Sequence, residues 1–111
     1  METSRIHVEA GPGGTIVHLE GEIDSALRAQ ASLSMATVLG GDGPVLIDAT
    51  EATFVDSTGI AFVLQVQHAA SEALMDITLR DPHHVVRDVL EVLGASHLLR
   101  DADGGAVAAV R

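Results

Sequence analysis

Short apolar runs alternate along this chain with segments of helical periodicity, and this alternation limits the fold more than any other feature. The runs Val45-Leu46-Ile47 and Ile77-Thr78-Leu79 have the length and the β-branched content of strands. Residues 25–39, 57–73 and 82–93 repeat apolar positions at helical spacing. Strands that alternate with helices predict a mostly parallel central sheet with helices packed against it through right-handed crossovers. The predicted fold class is therefore a single small α/β domain.

An N-terminal hairpin is expected before this alternation begins. Apolar residues lie on either side of Gly11-Pro12-Gly13-Gly14, with Ile6 and Val8 before it and Val17 and Leu19 after it. Two short strands around a glycine-rich turn are typical of a hairpin. A phosphate-binding loop is not expected, because no helix follows and the Gly-x-Gly-x-x-Gly spacing is absent.

The predicted helices carry signals at their ends. Asp24 or Ser25 is suited to cap the first helix, and Gly40-Gly41 is suited to end it. Asp81-Pro82 predicts the start of the third helix, with the aspartate as N-cap and the proline in the first helical position. After this helix, Leu98-Leu99 forms either a last short strand or a hydrophobic return to the core.

The central strand is expected to be short and buried. The continuous apolar run Val45-Leu46-Ile47 suits a strand that is covered on both faces. Asp48 is interpreted as the end of this strand, and residues 49–53 as a connection. Phe54 is then predicted to plug the core beside the strand end.

The helix predicted over residues 57–73 is unusually apolar. At roughly 100° per residue, Gln65, His68 and Glu72 form a polar arc of about 60°. A surface helix needs an apolar stripe of only about 100°, and this helix has about twice that. It is either lodged deeply in the fold or covers a protein contact, and the sequence leaves both alternatives open.

Length and composition limit the class of protein. The 111 residues suit one domain over 1–111, with a core over about residues 6–100 and a short, frayed tail over 101–111. The absence of cysteine fits a reducing cytoplasm, and the polar start of the chain does not resemble a signal peptide. We therefore expect a cytoplasmic protein with no membrane span. The net charge of -10 argues against direct contact with nucleic acid or an anionic membrane.

Catalytic and metal chemistry find little support in the residue spacing. None of the six histidines lies in an H-x-x-x-H or H-E-x-x-H arrangement, so no metal or other cofactor is predicted. Ser57 lacks the Gly-x-Ser-x-Gly elbow of a hydrolase, and we do not expect an enzyme. The chain has no tyrosine or tryptophan on which nucleic-acid bases could stack.

A polar segment, Asp56-Ser57-Thr58-Gly59, separates the central strand region from the apolar helix. It places two hydroxyls at or just before a helix N-terminus, where backbone N–H groups lack partners and the macrodipole is positive. One interpretation is that Asp56 or Ser57 is simply the N-cap of the helix. The other is that one hydroxyl is displayed as a modification or contact site.

Four motifs, in order along residues 6–100, resemble those of bacterial anti-sigma factor antagonists of the STAS-domain family. The segment Phe54-Val55-Asp56-Ser57-Thr58-Gly59-Ile60 is similar to the family's hydroxyl-bearing segment. Leu19-Glu20-Gly21-Glu22-Ile23-Asp24 is similar to its Gly-Glu-Leu-Asp turn, and Val45-Leu46-Ile47-Asp48 to its central strand. Asp81-Pro82, followed by an amphipathic helix, is similar to the start of its third helix.

The resemblance implies a regulator of transcription that switches partners. Its unphosphorylated form would bind an anti-sigma factor of the serine protein kinase type and release the sigma factor, and phosphorylation would abolish this binding. Ser57 would be the phosphoacceptor, and Asp24, Asp56, Thr58 and Gly59 would contact the partner. A phosphatase is a further partner that such a switch could use.

An alternative function keeps the fold without the switch. The chain would then be a non-switching STAS module, either a subunit of a larger complex or a small-molecule or nucleotide-binding domain. Departures from the family pattern at Ser25 and at Ala61-Phe62 bear on the identity of the partner rather than on the fold.

Overall fold

The computed structural model of the protein describes residues 3–102, which form one five-stranded sheet and three α-helices. The strands are β1 Arg5–Gly11, β2 Gly14–Ile23, β3 Val45–Val55, β4 Ile77–Arg80 and β5 Arg100–Asp101. The helices are α1 Arg28–Gly40, α2 Ser57–Glu72 and α3 Val85–Val92, with 3₁₀ turns over Ser25–Leu27 and Ser96–Leu98. The predicted α/β domain with an N-terminal hairpin and a mostly parallel sheet is confirmed.

The strands lie in chain order across the sheet. β1 is antiparallel to β2, and every later pair of neighbours is parallel. Because right-handed crossovers that proceed in one direction place their helices on the same side, α1, α2 and α3 all pack on one face of the sheet. We call this the closed face. The other face, which no helix within residues 3–102 covers, is the open face.

The hydrophobic core lies between the closed face and the helices. Val17, Ile47 and Leu79 are paired across β2, β3 and β4, and all three side chains are fully buried. α2 contacts both α1 and α3 as well as the sheet. This central position explains its wide apolar arc, because side chains on its flanks, such as Phe62, are buried as well as those that face the sheet.

β3 is longer than predicted. It continues to Val55, so Asp48 does not end the strand and residues 49–53 are not a connection. β2 is the reason, because its ten residues offer backbone partners as far as the pair Ile23–Val55. Asp48 is tolerated within the strand because it lies on the open face. There its Oδ1 accepts hydrogen bonds from the backbone N–H and the hydroxyl of Thr50, at 3.0 and 2.6 Å.

Two apolar side chains of β3 are more exposed than predicted. Leu46 points to the open face and is half-buried, so the apolar run is covered on one face rather than on both. Phe54 was expected to plug the core, but it lies near the end of the strand opposite Glu22 and is 51% exposed. The two neighbours of Leu46, Val45 and Ile47, point to the closed face and are buried.

The third helix begins later than predicted. Residues 82–84 form a turn, His84 adopts a left-handed conformation with φ of 61°, and α3 starts at Val85. Asp81 nevertheless satisfies the start of the helix. Its carboxylate accepts hydrogen bonds from the backbone N–H groups of Val85, Val86 and Arg87 at 2.8 to 3.1 Å. The aspartate therefore caps the helix across a turn, and Pro82 is not the first helical residue.

The end of the described chain returns to the sheet. Leu99 is buried, and β5 follows it at Arg100–Asp101. Most of the tail predicted over residues 101–111 lies outside the described residues. Within residues 3–102, no helix is both long and apolar enough to span a membrane.

Candidate functional site

The polar segment that the sequence singles out lies where two parallel strands end side by side. Ile23 and Val55, the last residues of β2 and β3, are paired, and Asp24 and Asp56 follow them directly. The backbone N–H of Asp56 donates to the carbonyl of Ile23 at 3.1 Å, which ties the start of α2 to the end of β2. Ligand and partner sites of α/β folds commonly form at this edge of the sheet.

Asp56 is the N-cap of α2. It has extended backbone angles, and its Oδ1 accepts a hydrogen bond from the N–H of Gly59 at 3.0 Å. Its carbonyl accepts the first helical hydrogen bond, from Ile60, at 2.9 Å. Of the two residues that the sequence offers for this role, Asp56 fills it, and Ser57 is the first helical residue.

Asp24 occupies the equivalent position at the end of β2. Its backbone is extended, and its Oδ1 accepts a hydrogen bond from the N–H of Ala26 at 3.0 Å. Of Asp24 and Ser25, the aspartate is therefore the cap, and it caps the 3₁₀ turn that leads into α1. The two aspartates predicted as partner contacts are thus neighbours, and each also stabilises the start of a helix.

Ser57 lies on the surface, and its side chain does not stabilise the fold. The residue is exposed, and its hydroxyl makes no hydrogen bond with any other residue of the described chain. Thr58, the second hydroxyl of the motif, is half-buried. Of the two hydroxyls, Ser57 is the more accessible to a modifying enzyme.

Gly59 is required by close packing. A Cβ atom at this position would lie 2.5 Å from Cγ2 of Val55 and 2.6 Å from the carbonyl oxygen of Ile23. Because these distances are far below van der Waals contact, the first turn of α2 can approach the end of β2 only with glycine here. The structure gives Gly59 this packing role, and its contact with a partner stays a prediction.

Two grooves border Ser57, one on each side of the start of α2. The first, of about 590 Å³, lies between α1 and α2. Arg28, at the start of α1, is the only charged residue among the described residues that line it. The lining residues within the described part of the chain are Arg28, Ala31, Ser32, Met35, Ser57, Thr58, Ala61, Phe62 and Gln65.

The second groove, of about 390 Å³, lies between α2 and α3 and is almost entirely apolar. Its walls are formed by Ile60, Leu64, Val89 and Leu93, with Ser57 at one end. Leu93 is 57% exposed and adds apolar surface to this groove. No histidine is among the described residues that line either groove.

The sequence analysis did not predict Arg28, nor Val89 and Leu93, which form the side of the second groove next to α3. All three lie far from Ser57 along the chain, and none belongs to the motif around it. The signal that would have found Arg28 is topological. Because β2 and β3 are parallel neighbours, the elements that follow them begin side by side, and Arg28 comes four positions after Asp24.

The strongest electrostatic effects lie on the open face, away from Ser57. Burial would raise the pKa of the Asp48 carboxyl, but the Thr50 hydrogen bonds and the charges of Arg80 and His18 together hold it below its usual value. A hydrogen bond with His7 is the main cause that lowers the pKa of Glu20, and Arg5 adds to it against the effect of burial. Both carboxyls are therefore charged near neutral pH.

Comparison with known protein families gives one match that spans most of the chain. The family described as "Mlab, STAS domain" matches residues 6–100. A comparison with curated protein sequences finds no significant match.

Solved structures show the same fold. The unphosphorylated form of the anti-sigma factor antagonist SpoIIAA matches with a TM-score of 0.72 and 22% identity, covering 96% of each chain. The phosphorylated form of the Bacillus cell fate determinant SpoIIAA gives 0.70 and 22%, covering 96% of this chain and 99% of that one. An anti-sigma factor antagonist from Mycobacterium paratuberculosis gives 0.67 and 21%, with coverages of 85% and 80%. At these identities the likeness is one of fold.

Proposed function

The chain belongs to the STAS domain family, and from this membership we propose that it is an anti-sigma factor antagonist switched by phosphorylation of Ser57. In its unphosphorylated form it binds an anti-sigma factor that is also a serine protein kinase, and the sigma factor is released. The phosphorylated form does not bind. The protein acts in the cytoplasm by binding, without catalysis of its own. A phosphatase that removes the phosphate would complete the cycle.

One observation carries the proposal: Ser57 is exposed and unbonded within the described chain, while Asp56 beside it caps the helix. A serine that capped α2 would be needed for stability, and its modification would disturb the fold. Here the two roles are divided between adjacent residues. The Ser57 hydroxyl is therefore available to a kinase without any loss of the helix cap.

A phosphate on Ser57 is compatible with the folded domain. It would stand at the N-terminus of α2, where the macrodipole favours negative charge. We therefore expect phosphorylation to change the surface and to leave the fold intact. This is the behaviour that a switch requires, and it agrees with the existence of SpoIIAA structures in both unphosphorylated and phosphorylated forms.

The surface around Ser57 suits a protein partner. An apolar groove on one side offers Leu64, Val89 and Leu93, and the cap residues Asp24 and Asp56 add negative charge beside it. A partner with apolar side chains and a basic residue near the serine would match this surface. A phosphate on Ser57 would place nearly two further negative charges beside Asp56 and at the end of the apolar groove, and the cost of desolvating these charges would disrupt the fit of the apolar side chains of the partner.

The modification site is tested by incubating the protein with ATP in an extract of the source cells and measuring its intact mass. The wild-type chain should gain one phosphate, and Ser57→Ala should gain none. Thr58→Ala is the matched control, because it removes the neighbouring hydroxyl and should still be phosphorylated. A phosphate on Ser57→Ala, or no phosphate on any form, would contradict the proposal.

Binding is tested with immobilised wild type, Ser57→Ala, Ser57→Asp and Ser71→Asp as baits for proteins of the same extract. The first two should retain a kinase-like anti-sigma factor, and Ser57→Asp should lose it. Ser71→Asp is the matched control because it adds the same charge at an exposed serine near the other end of α2. Retention of one non-kinase partner by all four baits would instead support a non-switching STAS module.

A further inference from the structure

The open face carries a cluster of side chains that the proposed switch does not use. His7 on β1 lies directly opposite His18 on β2, and Glu20 follows His18 two residues later on the same face. The two imidazole rings are stacked, with centroids 4.6 Å apart and an interplanar angle of 13°. We propose that His7, His18 and Glu20 form a binding site for a divalent transition-metal ion, for which Zn²⁺ is the probe.

The geometry of the three side chains supports this proposal. One potential ligand atom from each residue lies within 4.8 Å of those of the other two. Two imidazole nitrogens and one carboxylate oxygen are a common set of three protein ligands for Zn²⁺, with water or another group in the fourth position. Because β1 and β2 hold the backbones in register, His7 and His18 can approach one ion from neighbouring strands.

The contacts of His7 Nε2 give a second argument. This nitrogen lies 3.0 Å from Oε2 of Glu20 and 3.1 Å from a terminal guanidinium nitrogen of Arg5. A guanidinium only donates hydrogen bonds and a carboxylate only accepts them, so a single ring nitrogen cannot satisfy both at once. When Nε2 of His7 carries a free lone pair, this nitrogen and the Glu20 carboxylate face the same position. A positive charge is favoured there.

Arg5 supplies that charge in this structure. Its Nε donates to Oε1 of Glu20 at 3.0 Å while its terminal nitrogen contacts His7, so the guanidinium bridges two of the three proposed ligands. The Arg5 side chain is 52% exposed, which leaves it able to move into solvent. A metal ion would therefore compete with Arg5 for His7 and Glu20.

His18 has a similarly replaceable partner. Its Nε2 lies 2.9 Å from Oε1 of Glu9, whose side chain is 69% exposed. Glu9 can leave when a metal binds, or it can provide a further oxygen ligand from β1. Sequence spacing did not reveal this site because its histidines meet across a hairpin rather than along one helix.

The test is a zinc titration of the untagged full chain, near neutral pH, by calorimetry and by thermal unfolding. We expect binding of one ion and a rise in the midpoint of unfolding with zinc concentration, because the ion binds only the folded site. His7→Ala should lower the zinc affinity by at least about tenfold, since even groups that only orient metal ligands typically account for about 10–100-fold. His68→Ala, an exposed histidine of α2, is the matched control and should bind zinc as the wild type does.

One variant should bind zinc more tightly than wild type, and such a gain cannot be explained by misfolding. Glu20→Gln keeps the shape of the side chain and should weaken binding, whereas Arg5→Gln removes the competing cation and should strengthen it. Equal zinc affinities for wild type, His7→Ala and Glu20→Gln would overturn the proposal, as would an absence of zinc binding to wild type. Because the site lies on the opposite face from α2, its failure would leave the proposed switch at Ser57 untouched.

Discussion

Ile47 and Asp48 are neighbours in β3, yet they belong to different environments. Ile47 points to the closed face and is fully buried between Val17 and Leu79 of the adjacent strands. Asp48 points to the open face, where it is held by Thr50 and Arg80. The closed face is stabilised by burial of apolar surface, and the open face by polar pairs between strands. One strand thus divides the molecule into an apolar side that holds the fold together and a polar side that is available for other roles.

The largest effect is expected on the closed face. Ile47→Ala removes three carbon atoms from a site with no exposed surface and should lower the free energy of unfolding by about 2–5 kcal/mol. Urea denaturation would measure the change. Leu46→Ala is the matched control on the open face, where the side chain is only half-buried, and it should cost less. Equal losses of stability from the two substitutions would contradict the proposed difference between the closed and open faces.

The sequence predicts the closed face better than the open face, and β3 shows why. Apolar periodicity reports burial, and it correctly locates Val45, Ile47 and the helices that cover them. The same reasoning interprets Asp48 as a strand end, because a carboxylate is rarely placed within a buried strand. Only the structure shows that the sheet has one uncovered face, on which a carboxylate is stable. The length of β3 is set by its partner β2, and local sequence contains no such information.

The part of the candidate site that depends on residues adjacent in sequence could be predicted. The motif predicts a helix start at Asp56 or Ser57, and the structure assigns the cap to Asp56. Arg28 could be found only from the order of the strands and not from the motif, and Leu93 could not be predicted, because tertiary packing alone brings it to the serine. The same holds for the pair His7 and His18 on the open face, since a hairpin register decides which residues of two strands meet.

An intermediate effect is expected at the edge between the faces, where Asp56 and Ser57 are adjacent but have different roles. Asp56→Ala removes the hydrogen bond to the N–H of Gly59 and should lower the free energy of unfolding by about 0.5–2 kcal/mol. Ser57→Ala removes a hydroxyl without a partner in the described chain and should leave stability within about 0.5 kcal/mol of wild type. Thermal or urea unfolding of the two variants would compare them. A larger loss for Ser57→Ala than for Asp56→Ala would contradict the division of roles.

The smallest effect on the free energy of unfolding is expected from substitution of Asp48, and this effect should depend on pH. Arg80 lies 3.6 Å from the carboxylate in a partly exposed pair, so Asp48→Asn should cost less than about 1 kcal/mol at neutral pH. Because folding lowers the pKa of Asp48 below 3.8, the charged carboxylate contributes stability above that pH, and the contribution is lost as the pH falls through the folded-state pKa. The stabilities of wild type and Asp48→Asn should therefore converge in acid.

Urea denaturation of both proteins at neutral pH and at several values below 3.8 would measure this convergence. Asp42→Asn is the matched control, because Asp42 is exposed in the loop before β3 and makes no hydrogen bond or ion pair with other described residues. Its substitution should have little effect at any pH. A constant difference between wild type and Asp48→Asn across the range would mean that the charge of Asp48 does not cause the difference, because the two side chains have the same shape and differ otherwise only in their hydrogen-bonding groups. The open face would then be stabilised at Asp48 by its hydrogen bonds with Thr50 rather than by charge, and the contrast with Ile47 would be one between hydrogen bonding and apolar burial.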